Sequence, residues 1–257
     1  MSRLAWDDLG KRSYEVGVDR GVLYPATGKG VPWNGLVAVQ ETPSGADITE
    51  GHLDGRKIRN QRLGEGFSAS INAYTYPREF EEYDGTLDGL TAQNRPYFGF
   101  SYRTRLGNDL EDDAGSLIHL VYNAMATPSS RPYSSLSGSA NPITFDWKID
   151  TVPVILADGS ITSHLIINTK MAYSWAVDAL EDLIYGSANN DPQLPSIPGV
   201  IDIFEDASIL KITDHGDGTW TAEGPDDAII MLDPTTFQIT WPSAVYIDDV
   251  TYRISSL

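Results

Sequence analysis

The side chains most able to do chemistry in this 257-residue chain are four histidines, 36 acidic residues and the hydroxyls of a Ser- and Thr-rich sequence. The spacing of each group decides what it could do. His52, His119, His164 and His215 are scattered, without a His-Glu-x-x-His or any other local metal motif, and an isolated histidine on a strand is more often packed or solvated than ligating. Asp178, Glu181 and Asp182 share one face of a helical pattern but have no further ligand at a matching position, which favours a solvated face. Asp109, Glu111, Asp112 and Asp113 make a denser acidic loop that lacks the Asp-x-Asp-x-Asp-Gly order of a calcium site. Ser68, Ser101 and Ser116 lack the Gly-x-Ser-x-Gly elbow of a hydrolase nucleophile. Gly28, Lys29 and Gly30 are followed by no Ser or Thr in the place a phosphate loop needs it. With no cysteine, thiol nucleophiles, disulfides and Cys-ligated clusters are excluded. The expectation is therefore no catalytic residue, no metal and no cofactor.

Composition limits the partners. Hydrophobic residues make up 41% and charged residues 21%, enough to build a packed core. The formal net charge is −18 and is unevenly placed: residues 1–105 carry 13 basic and 14 acidic side chains, whereas 106–257 carry 5 and 22. Such a chain has no surplus of Lys and Arg with which to grip phosphates. The start of the chain lacks the apolar run of a signal peptide, so synthesis in the cytosol without export is expected. The longest apolar stretch, around Val152 to Ala157, is far short of the ~20 residues that span a bilayer, and no membrane partner is expected.

The elements that must position these groups read mostly as strands. Phe67, Ala69, Ile71 and Ala73 alternate with Ser68, Ser70 and Asn72; Ile143, Phe145, Trp147 and Ile149 alternate with Thr144, Asp146, Lys148 and Asp150. Each pattern predicts one apolar and one wet face. Trp33 to Thr42, Tyr97 to Leu106, Leu117 to Ala126 and Ile161 to Thr169 behave similarly. One helix is predicted, Ser174 to Tyr185, with Ser174 as N-cap and Gly186 at the stop. Residues 187–199 read as a linker, dividing a main domain, 1–199, from a small β extension, 200–257, whose strands fall near Lys211–Thr213, Thr219–Thr221, Ile229–Leu232 and Phe237–Trp241. Pro43 to Gly66 and Pro77 to Pro96 read as long polar loops, where contacts to other molecules are sought first.

Specific phrases add a resemblance. The run from Trp6 to Pro25 (WDDLGKRSYEVGVDRGVLYP), then GVPWNGL at 30–36, AYTYPREF at 73–80, FGFSYRT at 98–104, HLVY at 119–122, Phe145 with Trp147, TVPV at 151–154 and TFQITWP at 236–242 closely resemble the major tail proteins of long-tailed bacteriophages infecting actinobacteria. The likeness runs from end to end of the chain. It implies a mainly β fold, a tail-tube-type sandwich or partly closed barrel flanked by one helix, with a small C-terminal β-subdomain. It also implies a structural virion protein, not an enzyme. Hexameric rings of it would stack into a tube that conducts the genome, assembled in the host cytoplasm and located in the virion tail. Implied partners are other copies of the chain and the tape measure, tail terminator and tail-tip proteins, with DNA passing transiently.

By the same resemblance the segment Pro43 to Gly66 belongs to ring stacking, so Arg56, Lys57, Arg59 and Arg62 are expected to dock on an acidic surface of a neighbour. DNA that slides must not be held, and each Lys or Arg neutralising a phosphate would favour adhesion. The wet-face residues Ser68, Ser70, Asn72, Asp146, Lys148 and Asp150 are therefore the candidates for facing the lumen, with Lys148 working against a purely repulsive wall. Two alternatives stay open on the residues alone: a glycan-binding β-sandwich using exposed Trp and Tyr, and a glycoside hydrolase with two carboxylates about 5 to 10 Å apart.

Overall fold

The computed structural model describes residues 6, 9–10, 12–43, 48–53, 56–62, 66–86, 95–111, 114–127, 129, 142–157, 159–206, 209–214, 220–223, 244–246 and 252–254; side chains are described for these up to residue 204, except in 48–53 and 56–62. Two compact units result, residues 1–168 with 182–194, and residues 169–181 with 195–257. The fold is mainly β, with a large antiparallel sheet and few helices.

The first unit contains β1 (Ser13–Tyr24), β2 (Val31–Pro32), β3 (Leu36–Glu41), β4 (Ile48–Leu53), β5 (Arg56–Arg62), β6 (Ser68–Ala73), a 3-10 turn (Arg78–Phe80) running into α1 (Glu81–Asp84), β7 (Phe98–Asn108), β8 (Gly115–Ala126), β9 (Phe145–Thr151), β10 (Val154–Ile155), β11 (Ile161–Thr162) and β12 (His164–Asn168). The main sheet has the order β2-β1-β7-β8-β9-β6-β3, with β12 also on β8. Strands β2 and β3 stand at opposite ends of that order, yet only residues 33–35 join them. Seven flat strands would place those ends roughly 29 Å apart, whereas the link reaches at most about 14 Å. The sheet must roll. At the closure the Trp33 N–H donates to the Gly21 carbonyl (2.7 Å), and a Cβ added to Gly21 would meet Leu36 of β3 at 2.9 Å.

The roll encloses one core. Trp33 meets Phe80 at 4.6 Å between ring centroids and Trp147 at 5.7 Å, and Phe80 meets Trp147 at 5.3 Å. Leu23, Ile71, Phe100 and Ile149 fill the space around them. Strand β8 divides its pairing: Leu117 to Val121 lie opposite β12, and Ala124 to Ala126 opposite β9. Asn123 sits at the fork with φ 49°, a left-handed conformation that Asn tolerates better than most residues. Its amide donates to the Val152 carbonyl (3.2 Å), and its own carbonyl accepts the Val152 N–H (3.1 Å).

Five expectations need correction. The segment Pro77 to Pro96 is not all loop, because the 3-10 turn and α1 lie in it and bury Phe80 and Tyr83, and a second long helix, Ile197–Asp206, joins the single helix expected. Pro43 to Gly66 is not simply a loop, since β4 and β5 pair across it in an antiparallel hairpin. Polar residues without alternation hid these strands. Asp54 and Gly55, the pair between them in sequence, are a two-residue hairpin signal; they lie outside the described residues. Residues 187–199 are not a free linker. Pro192 accepts the Gly30 N–H (2.7 Å) and the Gln193 N–H reaches the Leu183 carbonyl (2.8 Å). Finally, the predicted helix is α2 (Ser174–Ile184), stopped at Gly186 with φ 84° as expected, but the Val177 N–H bonds to the Tyr173 carbonyl (3.0 Å), so Tyr173 holds the cap position assigned to Ser174.

The second unit also holds α3 (Ile197–Asp206), β13 (Ile209–Asp214), β14 (Trp220–Glu223), β15 (Ala244–Tyr246) and β16 (Tyr252–Ile254), the strands in the order β14-β13-β16-β15. Ser196 caps α3, its hydroxyl accepting the Gly199 N–H (3.2 Å) and its carbonyl the Val200 N–H (2.9 Å). Pro198 falls in the first turn, where no N–H is required of it. The strands expected at Lys211–Thr213 and Thr219–Thr221 correspond to β13 and to β14, whose first residue is Trp220. Ile229–Leu232 and Phe237–Trp241 lie outside the described residues.

Candidate functional site

The wet faces of β6 and β9 form one surface. Ser68 lies opposite Asp150, Ser70 opposite Lys148 and Asn72 opposite Asp146, so the six residues stand as three cross-strand pairs. Between them Ala69 pairs with Ile149, Ile71 with Trp147 and Ala73 with Phe145, on the face that fills the core. Asp146, Lys148 and Asp150 are exposed, while their β6 partners are half-buried. The Ser68 hydroxyl donates to Asp150 (2.6 Å). Gln40 and Ala38 of β3 extend the rows beyond Ser70 and Asn72. Lys148 thus sits between two carboxylates along β9, which leaves the strip with little net attraction for phosphate.

The basic run lies on a single strand. Arg56, Lys57, Arg59 and Arg62 all belong to β5, opposite Leu53, His52, Gly51 and Ile48, with a bulge between the Gly51 and His52 positions. The hairpin is inserted between β3 and β6, which pair with each other. Elsewhere in this unit Val152, Ile155, Ile161 and Ile166 present exposed apolar side chains around β10, β11 and β12. Several large apolar residues in the open mark a surface suited to association.

Residues with chemical potential mostly have structural work. Asp109 accepts the Gly10 N–H (2.7 Å) and pairs with Arg12 (3.2 Å); Asp112 and Asp113 lie outside the described residues. Ser101 is buried against the Tyr24 hydroxyl (3.0 Å). Lys29 pairs with Asp191 (3.3 Å) in an exposed turn. Asp178 and Asp182 are exposed on α2. On β1, Asp19 accepts from Arg103 (2.7 and 2.9 Å) and from Arg105 (3.0 Å). The Arg103 hydrogen bonds hold its carboxyl below the usual range, against the opposing effect of burial.

Two of the histidines are not isolated. His119 of β8 and His164 of β12 approach through Nδ1 and Nε2 at 3.2 Å, and Glu41 at the end of β3 brings Oε1 within 3.2 Å of His119 Nδ1. The rings follow one another, Tyr102 stacked on His119 (4.4 Å), His119 stacked on His164 (5.3 Å) and Phe67 tilted against His164 (4.2 Å). The Tyr102 hydroxyl donates to Glu41. Hydrogen bonding from His119 and then Tyr102 holds Glu41 down to about 2, and burial pushes His164 down to about 4. Sequence spacing could not show this group, because His119 and His164 meet through the pairing of β8 with β12 and Glu41 of β3 reaches them only through the roll.

No family model and no curated protein matches the chain. Among the described residues no helix is long and apolar enough to cross a membrane. Of solved structures, a chain of the anti-feeding prophage baseplate is 9% identical, covering 65% of this chain and 99% of its own length at a TM-score of 0.35. A chain from the tube-terminating cap of the same prophage is 15% identical, covering 63% and 96%, at 0.32. A chain of the PVC sheath-tube complex, an extracellular contractile injection system in its extended state, is 13% identical, covering 58% and 88%, at 0.31. At these scores the likeness is partial, and the functional reading rests on the chain's own residues.

Proposed function

We propose that this chain is a structural tube subunit of a long-tailed phage, of the kind infecting actinobacteria, whose hexameric rings stack into a conduit for genome ejection. The observation that carries the reading is the three-pair polar strip, Ser68–Asp150, Ser70–Lys148 and Asn72–Asp146, backed by a fully apolar layer. A rigid sheet with hydroxyls, an amide and alternating charge can line a channel along which DNA slides without being held. In this reading the strip faces the lumen, and the exposed apolar side chains near β12 pack against a second copy. The β5 residues Arg56, Lys57, Arg59 and Arg62 dock on acidic groups of the next ring. Tape measure, terminator and tail-tip proteins would engage the ends of the tube in the virion tail, assembled in the host cytoplasm.

Negative-stain microscopy of the purified chain at rising concentration tests the proposal. Rings or tubes are expected, and the double variant Arg56→Glu, Arg59→Glu is expected to shorten or abolish tubes at low salt while leaving rings. A wild-type chain that stays monomeric at every concentration, with and without a tail-tip fraction as nucleus, overturns it.

A further inference from the structure

We propose that Glu41 Oε1, His119 Nδ1 and His164 Nε2 form a binding site for one divalent transition-metal ion of the zinc type, completed by water. The site stands apart from the polar strip and holds whatever the chain assembles into. The three atoms all lie within 4.8 Å of one another, and the edges from His119 to His164 and from His119 to Glu41 are each 3.2 Å. Ligands about 2.0 Å from a tetrahedral zinc are separated by roughly 3.3 Å. Two imidazoles and one carboxylate are a donor set that selects zinc and its neighbours over magnesium or calcium, which prefer all-oxygen shells.

The surroundings orient the ligands as a metal site requires. The Thr104 hydroxyl donates its one proton to Glu15, so toward His119 Nε2 (3.3 Å) its oxygen can only accept. His119 therefore carries N–H on Nε2, and Nδ1, which faces Glu41 and His164, holds either a proton shared with Glu41 or a lone pair open to an ion. A proton on Nδ1 can reach Glu41 Oε1 or His164 Nε2 but does not serve all three atoms at once. A divalent ion satisfies all three together. The Tyr102 hydroxyl donates to the same Glu41 Oε1 and so fixes where that oxygen points, and partners of this type commonly orient metal ligands. Tyr102, stacked on His119, and Phe67, tilted against His164, hold both imidazoles in place. His119 is 4% exposed, but Glu41 is 31% exposed and leaves a way in for the ion. Bound there, the ion would join the end of β3, which leads directly into the β4–β5 insertion, to β8 and β12.

The test uses the full chain stripped with EDTA and titrated with Zn²⁺ by calorimetry, with Mg²⁺ as control and Co²⁺ for its visible tetrahedral absorption bands. One zinc per chain at micromolar affinity or better is expected, with no magnesium binding. Glu41→Gln and His164→Gln should each weaken it at least tenfold and remove the cobalt bands, while His52→Gln should change neither. Glu41→Gln, on the half-open edge, carries the test if His164→Gln does not fold. Absence of saturable one-to-one zinc binding, or a loss smaller than tenfold in a folded variant, overturns the site.

Discussion

The two faces of β6 and β9 share one backbone register and do opposite things. On one, Ala69, Ile71, Ala73, Trp147 and Ile149 are buried in the roll; on the other, Ser68, Ser70, Asn72, Asp146, Lys148 and Asp150 meet solvent in matching pairs. A period of two residues lets the same short strands carry the fold on odd-numbered positions and a surface on even-numbered ones. Folding constrains the first set tightly, while the second is free to answer to a partner.

That contrast can be broken in measurable ways. The largest effect belongs to the core face: Trp147→Ala should destabilise the subunit by about 3 to 5 kcal/mol, read by urea unfolding, and a loss below ~1 kcal/mol would deny that this ring organises the roll. An intermediate effect is expected on the outer side of β1 and β7, where Asp19 holds Arg103 and Arg105. Because its folded carboxyl is depressed, its stabilisation is fully present above the ordinary carboxylate range and is lost as pH falls through the lower folded value. Asp19→Asn should therefore cost roughly 1 kcal/mol or less near neutral pH, given partial exposure, and the difference from wild type should shrink as pH falls below the ordinary Asp value of about 3.9. A gap that widens on acidification would refute the assignment. The smallest stability change is expected on the polar strip: Asp146→Lys with Asp150→Lys should stay within about 0.5 kcal/mol. The same double variant should make assembled tubes retain DNA on co-sedimentation at low salt and release it at high salt. Unchanged DNA retention would remove the strip from the lumen.

Legibility in the sequence followed local periodicity. The β6 and β9 faces were readable because Phe, Ile and Trp alternate with Ser, Asn, Asp and Lys. The hairpin β4–β5 was not, since Ile48, Leu53 and Ile58 are too sparse to mark a face. Helix α3 was masked by Pro198 and Gly199, which resemble a linker although Pro is tolerated in a first helical turn. The group of Glu41, His119 and His164 was invisible for a different reason. Its spacing is set by how the sheet rolls and by the fork at Asn123, neither of which has a short-range signature.

The pairing of β1 with β7 has a consequence for timing. Ser13 lies opposite Asn108 and Tyr24 opposite Gly99, so partners are 95 and 75 residues apart. At roughly 5 to 20 residues per second of synthesis, β1 waits on the order of 5 to 20 s for its neighbour. Over that interval Val22, Leu23 and Tyr24, all buried in the finished roll, are open to wrong partners. Non-local pairings of this kind also fold slowly. The moment of greatest exposure to misassembly thus comes before the roll closes, when strands from a crowd of nascent copies could pair with one another in place of their own β7.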